Sequence, residues 1–197
     1  MYITAVVGLL FFALVYFAFG QADITRNGTQ TAADAAALAA AQDSRDQLKL
    51  EDFLDDLGNL FDGKPAETAD GCAEAARFAA RNDADNLHCD ALTDGRWGFT
   101  VESRSSRPMG DSIIDGTENE HAKATATAVV EPRCSFAPDE SAAPSEGGDD
   151  RESANANHRT PSPGKLVCDT KDWIIDPEKP DLLPDMADLF TVRLAED

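Results

Sequence analysis

The feature that most constrains this chain is a stretch without Asp, Glu, Lys or Arg that runs from Tyr2 to Ala22, YITAVVGLLFFALVYFAFGQA. A helix rises about 1.5 Å per residue, so about 20 apolar residues cross the ~30 Å hydrocarbon core of a bilayer. A helix also satisfies its own backbone hydrogen bonds, which a bilayer requires because its core offers no water. The stretch predicts a membrane helix over residues 1–22 that carries an exported domain. The residues expected to contact lipid are Tyr2, Val6, Leu9, Leu10, Phe11, Leu14 and Phe17.

Two other interpretations of this stretch stay open. A cleaved signal peptide normally has a basic first region and a small-residue cleavage site. No basic residue precedes Arg26, and Ala18-Phe19-Gly20 is a poor cleavage sequence. A buried core helix is the other interpretation, although a soluble core helix rarely stays uncharged for so long. We favour the anchor, whose orientation the positive-inside rule leaves undecided because the N-terminal flank has no Lys or Arg.

The charge of the chain excludes some classes of partner. The formal net charge of the 197 residues is -20, from 37 acidic and 17 basic residues. A nucleic-acid partner requires a basic surface, so this composition argues against nucleic acid. It also argues against adsorption to anionic lipid surfaces. About 175 residues follow the apolar stretch, enough for one domain with its own core. The acidic charge is expected to keep that domain soluble outside the cell.

Four cysteines lie after the apolar stretch, at Cys72, Cys89, Cys134 and Cys168. No two are spaced as CxxC, so a zinc ribbon or a thioredoxin motif is not expected. An even count after an export signal favours two disulfides, for which three pairings are possible. We predict Cys72–Cys89 and Cys134–Cys168, because each pair is nearest in sequence and brackets one coherent segment. Reduced, buried cysteines in a reducing compartment are the alternative.

Helical patterns follow the apolar stretch. An amphipathic helix is predicted over residues 23–62, because the segment is rich in alanine and has no proline before Pro65. Large apolar residues at helical spacing predict one packing face. The members of that face are Leu50, Phe53, Leu54, Leu57, Leu60 and Phe61. A second, shorter helix is predicted over Thr68–Arg81, in TADGCAEAARFAAR.

Period-two alternation predicts strands in the rest of the chain. The predicted strands are Trp97–Glu102, Ala122–Val130, Lys165–Cys168 and Leu189–Leu194. Each has one polar face, which is typical of an antiparallel sheet covered on one side. Residues 135–164 are rich in Pro, Ser, Gly and acidic residues, so we expect a disordered acidic loop there.

These patterns together predict an α+β fold. A long N-terminal helix, membrane-spanning in its first half, is expected to pack on a small antiparallel sheet with disulfides. Residues 63–134 supply a helix and strands of the extracytoplasmic domain. Residues 165–197 supply its closing strands.

The block VVGLLFFALVYFAFGQADITRNGTQTAADAAALAAAQDSRD resembles the N-terminal segment of actinobacterial TadE/TadG-like proteins, which are pilin-like components of the tight-adherence (Flp) pilus machinery. The segments GCAEAARFAARNDAD, AKATATAVVEPRCSF and DWIIDPEKPDLLPDMADLFTVRL look like the exported part of the same proteins. The resemblance implies a single-pass subunit of the cell membrane with its C-terminal domain outside. It implies a role in assembling or priming a Flp-type pilus or a related secretion apparatus, with the bilayer and other subunits as partners.

The sequence contains no constellation typical of an enzyme or a cofactor site. His88, His121 and His158 are scattered, and the chain has no HExxH, Walker A, GxGxxG or GxSxG motif. We expect no catalytic, metal-binding or cofactor-binding residues and no enzymatic activity. The residues leave one alternative function open, a membrane-tethered extracytoplasmic binding module unrelated to pili.

Overall fold

A computed structural model describes residues 2–64, 68–108, 119–139, 162–169 and 171–195, without the side chains of residues 17–23. Helix α1 runs over Tyr2–Asp46. Shorter α-helices follow at α2 (Leu57–Phe61), α3 (Cys72–Arg81) and α4 (Met186–Leu189). Short 3-10 helices cover Leu50–Phe53 and Pro180–Leu182.

The strands of the described residues form two antiparallel sheets. Their bounds are β1 (Ala84–Ala91), β2 (Gly98–Ser105), β3 (Lys123–Pro132), β4 (Cys134–Pro138), β5 (Gly164–Cys168), β6 (Trp173–Ile174) and β7 (Phe190–Leu194). The four-stranded sheet has the order β1-β2-β3-β7 and the three-stranded sheet has the order β4-β5-β6. Every pairing between neighbouring strands is antiparallel. The α+β class and the antiparallel pairing predicted from the sequence are confirmed.

The alanine-rich part of α1 packs against β2, β3 and α3. The alanines that are fully buried in this packing are Ala32, Ala33, Ala36, Ala37, Ala40 and Ala41. Because an alanine side chain ends at Cβ, the helix backbone can approach its neighbours closely. Gly71, just before α3, shows how close, since a Cβ atom added there would overlap the main chain of Ala40. The position of α1 therefore depends on small residues on both sides of the contact.

The larger side chains of the core gather around Phe190, the first residue of β7. The Phe190 ring stacks on Phe61 with 5.3 Å between centroids and meets Trp97 edge-on at 5.5 Å. The indole Nε1 of Trp97 donates a hydrogen bond to Ser44 Oγ at 3.1 Å. This cluster joins α1, α2 and the four-stranded sheet.

Two disulfides fasten the peripheral elements. One joins Cys72, the first residue of α3, to Cys89 in β1. The other joins Cys134 to Cys168, which are partners in the register of β4 and β5. The bonded pairs are the two expected from sequence proximity.

The single amphipathic helix predicted over residues 23–62 is wrong, because α1 ends at Asp46 and the remainder divides into a 3-10 helix and α2. Between Asp52 and Gly58 the chain contains several Asp residues and a Gly, which have low helix propensity. Interrupting the helix there therefore costs less free energy than it would in the alanine-rich part. The predicted packing residues that are nevertheless buried are Leu50, Phe53, Leu57, Leu60 and Phe61. Burial was therefore foreseeable from spacing, whereas the helical continuity was not.

Other boundaries also differ from the expectation. The second helix begins at Cys72 instead of Thr68. One small sheet was expected, but the strands that the structure describes form two. The disordered loop predicted over residues 135–164 is wrong at both ends, because Ser135–Pro138 belong to β4 and Gly164 to β5. Its central part, residues 140–161, lies outside the described residues.

No helix among the described residues is both long and apolar enough to cross a membrane. The membrane-spanning first half expected over residues 1–22 stays a prediction.

Candidate functional site

The first part of α1 exposes large apolar side chains. Tyr2 is 88% exposed, Phe12 72% and Leu9 70%. The other large apolar residues exposed there are Ile3, Val6, Val7, Leu10, Phe11, Leu14 and Tyr16. Burying one such side chain fully contributes about 1.5–3 kcal/mol, and contiguous exposed apolar surface usually marks an interaction site. We take this apolar segment, residues 2–16, as the candidate functional site.

The structure separates the two sets of predicted contact residues. The predicted anchor residues that lie exposed in the apolar segment are Tyr2, Val6, Leu9, Leu10, Phe11 and Leu14. Phe17 falls among the residues whose side chains are not described. The predicted packing residues Leu50, Phe53, Leu57 and Phe61 are buried in the domain core. The structure therefore does not bring the two sets together. Within α1 itself, the apolar segment is exposed and the alanine-rich segment is buried in the domain.

The change from exposed to buried is abrupt. Ile24 is 73% exposed, whereas Thr29 is 2% exposed. The Thr29 hydroxyl donates to the Thr25 carbonyl within the helix at 2.8 Å. Gln30 Nε2 donates to the Thr125 carbonyl of β3 at 3.3 Å. The domain therefore begins to cover α1 about one turn after Arg26.

An open cleft of about 560 Å³ lies beside this junction. Arg26, Asn27 and Gln30 of α1 line one side of the cleft. Residues 121–124, which lead into β3 and begin it, line the other side. His121 is held there by a 2.6 Å hydrogen bond between its Nδ1 and the Ser105 carbonyl. We call this the junction cleft. Sequence reasoning missed it, because its two halves are nearly a hundred residues apart and neither half contains a motif.

Shifted pKa values occur at surface ion pairs away from the apolar segment. Arg193 donates two hydrogen bonds of 2.6 Å to the Glu131 carboxylate, and they lower the pKa of Glu131. Hydrogen bonds from Arg96 likewise lower the pKa of Asp94, and the same pairing raises the pKa of Arg96. These groups are ion-paired at the rim of the sheet, so the shifts indicate structural pairing.

The described residues contain no group of three or more His, Cys, Asp or Glu side chains placed to hold a metal ion. The expectation that the chain has no catalytic, metal-binding or cofactor-binding residues stays a prediction.

The apolar segment and the alanine-rich segment fall within one stretch of family similarity. Residues 1–43 match the family model for TadE/G-like Flp pilus-assembly proteins. The resemblance noted from the sequence is thereby confirmed over this TadE/G-like segment. No curated protein and no solved structure matches the chain significantly. The TadE/G-like segment contains the exposed apolar residues and the buried alanines of α1, so the similarity covers the helix and not the disulfide-bonded sheets.

Proposed function

We propose that this chain is a membrane-anchored, pilin-like subunit or assembly component of a Flp pilus or a related secretion apparatus. One observation carries the proposal: the TadE/G-like segment includes the part of α1 whose large apolar side chains are exposed. A segment of that kind needs an apolar partner. The bilayer and the helices of other subunits are the partners proposed here.

The proposed anchor is the uncharged stretch Tyr2–Ala22, which crosses the cell membrane once. The domain after it is placed outside the cytoplasm. Two observations support that side: disulfides persist in oxidising compartments, and both disulfides lie after the anchor. The net charge of -20 suits a domain in water.

Lateral contacts between helices are the proposed mode of assembly. Gly8 lies within the apolar segment, and a Cβ atom added there would meet nothing within 4 Å. Small residues such as Gly8 and Ala13 let the backbones of two membrane helices come close, where packing and weak hydrogen bonds hold them. We propose a role through such contacts and through the domain surface, without enzymatic activity.

Membrane anchoring is tested with two lysines in the apolar segment, Leu10→Lys with Leu14→Lys. A charged side chain near the centre of a membrane helix costs about 2.5–3.5 kcal/mol on insertion scales, so the double variant should leave the membrane fraction. The matched control is Ile24→Lys with Leu182→Lys, two exposed apolar residues outside the stretch. Carbonate extraction followed by immunoblotting measures the distribution. Equal retention of both double variants would contradict the anchor.

The role in assembly is tested by deleting the gene and imaging surface filaments while secretion is measured. We expect fewer or no filaments, restored by the wild-type chain and by the control double variant but not by Leu10→Lys with Leu14→Lys. Unchanged filaments and unchanged secretion would reject assembly. If the protein is nevertheless retained in the membrane fraction, those results would favour the alternative function, a membrane-tethered binding module.

A further inference from the structure

The junction cleft brings together basic groups that the sequence keeps apart. Arg26 comes from α1, whereas His121 comes from just before β3 and Lys123 is the first residue of that strand. No acidic residue is among the described residues that line the cleft. That is unusual for a chain with 37 acidic and 17 basic residues. The cleft is therefore a local basic site on an acidic molecule.

The cations of the cleft keep donors available for a ligand. Arg26 forms no salt bridge among the described residues, so its guanidinium donors are uncommitted there. Lys123 Nζ lies 3.3 Å from the Glu102 carboxylate and has three donors, of which that pair uses one. Asn27 adds a side-chain amide to the lining. Arg, Lys and amide donors around one opening are the groups that bind phosphate oxygens.

The cleft also lies at the right height for a membrane surface. Arg26 follows Ala22, the end of the uncharged stretch, by four residues, which is about 6 Å along a helix. Lipid phosphates occupy the polar layer directly outside the hydrocarbon core. The volume of about 560 Å³ is within the range of about 300–1,000 Å³ typical of small-molecule sites.

We propose that the junction cleft binds the phosphate of an anionic phospholipid headgroup where α1 leaves the bilayer. The proposal rests on the membrane anchoring proposed above. It is a local exception to the exclusion drawn from net charge: the acidic domain as a whole is repelled by an anionic surface, while Arg26 and Lys123 hold one headgroup at its base. Such a contact would fix the height and tilt of the domain over the membrane.

Native mass spectrometry of the full chain in zwitterionic micelles tests the proposal by counting bound phosphatidylglycerol against phosphatidylcholine. The test variant is Arg26→Gln with Lys123→Gln. Its control is Arg133→Gln with Lys165→Gln, which removes the same charge from exposed positions outside the cleft lining. Each cation near a lipid surface contributes about fivefold, so the test variant should bind phosphatidylglycerol about 25-fold more weakly. The control should bind as the wild type does, and Arg26→Lys should retain most of the binding.

Several outcomes would overturn the proposal. Equal weakening in the test and control variants would mean that bulk charge, and not a site, attracts the lipid. Equal binding of the two lipids by the wild type would mean that the cleft does not select an anionic headgroup. Displacement of the lipid by excess inorganic phosphate at an equal affinity would assign the cleft to free phosphate. Far-UV circular dichroism and intact disulfides show that each variant is folded.

Failure of this proposal and failure of the proposed function are distinguishable. Lipid counting in micelles does not depend on filaments, and filament imaging does not depend on lipid selectivity. Loss of phosphatidylglycerol selectivity with normal filaments would reject only the headgroup site. Selective lipid binding by the chain in micelles, together with filaments that gene deletion leaves unaffected, would reject only the role in assembly.

Discussion

The hydrogen bond from Trp97 to Ser44 is expected to couple α1 energetically to the four-stranded sheet. Ser44 is fully buried and Trp97 is 1% exposed, so water cannot replace either partner. The bond is 3.1 Å long and joins residues separated by 53 positions. Its removal therefore reports directly on the contact between the helix and the sheet.

The magnitudes follow from the burial of both groups. Ser44→Ala leaves the indole N–H unpaired in the core, which should lower the free energy of unfolding by about 1–3 kcal/mol. Trp97→Phe leaves the Ser44 hydroxyl unpaired, which should lower the free energy of unfolding by a similar amount. The smaller ring also loses packing contacts, which lowers it further. The double variant removes both polar partners, so it should cost less than the sum of the single variants by about 0.5–1.5 kcal/mol.

Urea unfolding of the full chain in detergent micelles, followed by far-UV circular dichroism, measures these free energies. The control is Ser106→Ala, which removes an exposed hydroxyl and should change the stability by less than about 0.5 kcal/mol. Costs of the two single variants that add within about 0.3–0.5 kcal/mol would refute the coupling. The helix would then be held by its alanine contacts and its other hydrogen bonds, such as the one from Gln30 to the Thr125 carbonyl.

Three further predictions concern stability. Gly71→Ala should destabilise the domain by about 1–3 kcal/mol, because the new Cβ overlaps the main chain of α1. Gly58→Ala in α2 is the control and should be neutral or stabilising by up to about 1 kcal/mol. Urea unfolding measures both, and a neutral Gly71→Ala would contradict the close approach of α1 to Gly71. Replacing Cys134 and Cys168 by serine opens a loop with a sequence separation of 34 and should lower the free energy of unfolding by about 3–4 kcal/mol. Urea unfolding checks this. Because a reductant also breaks Cys72–Cys89, the variant and the wild type should become equally stable only when both are reduced, and a variant as stable as the oxidised wild type would contradict the prediction. Glu131→Gln should cost about 0.5–1 kcal/mol at neutral pH, since the carboxylate is partly exposed and screened by solvent. Because the pKa of Glu131 is lowered in the folded state, the stabilisation is present above the unfolded pKa of about 4.3 and is lost as pH falls through the folded pKa. Unfolding measured across that acid range should show the difference shrinking to zero, and a constant difference would point to packing instead.

Local pattern was informative where one face of an element meets the core. The alternation in Trp97–Glu102 and Ala122–Val130 predicted β2 and β3, because β2 buries alternate residues and β3 does so until Ala128–Val130, where consecutive residues are buried. The same signal is absent from β1, whose single buried residue is Ala84. That strand is held by its ladder to β2 and by the Cys72–Cys89 bond, which are interactions without a periodic pattern in the sequence of β1.

Helix boundaries were less predictable than burial. The spacing of Leu50, Phe53, Leu57 and Phe61 fits a helix, and these residues are buried, yet they belong to two separate short elements. Helical spacing of apolar residues predicts which side chains are buried in the core, but it does not distinguish one continuous helix from several consecutive short helices. Packing against Phe190, a partner far along the chain, accompanies the broken arrangement.

The sequence by itself determined the apolar stretch, the alanine-rich surface that follows it and the even set of cysteines, because these properties depend on composition and local spacing. The tertiary structure alone decided where α1 stops, that the described strands divide between two sheets, and that Arg26 and Lys123 share one cleft. Those outcomes depend on contacts between residues distant in the chain. For the same reason the net charge, which is a sum over all residues, did not reveal a basic cleft at the base of an acidic domain.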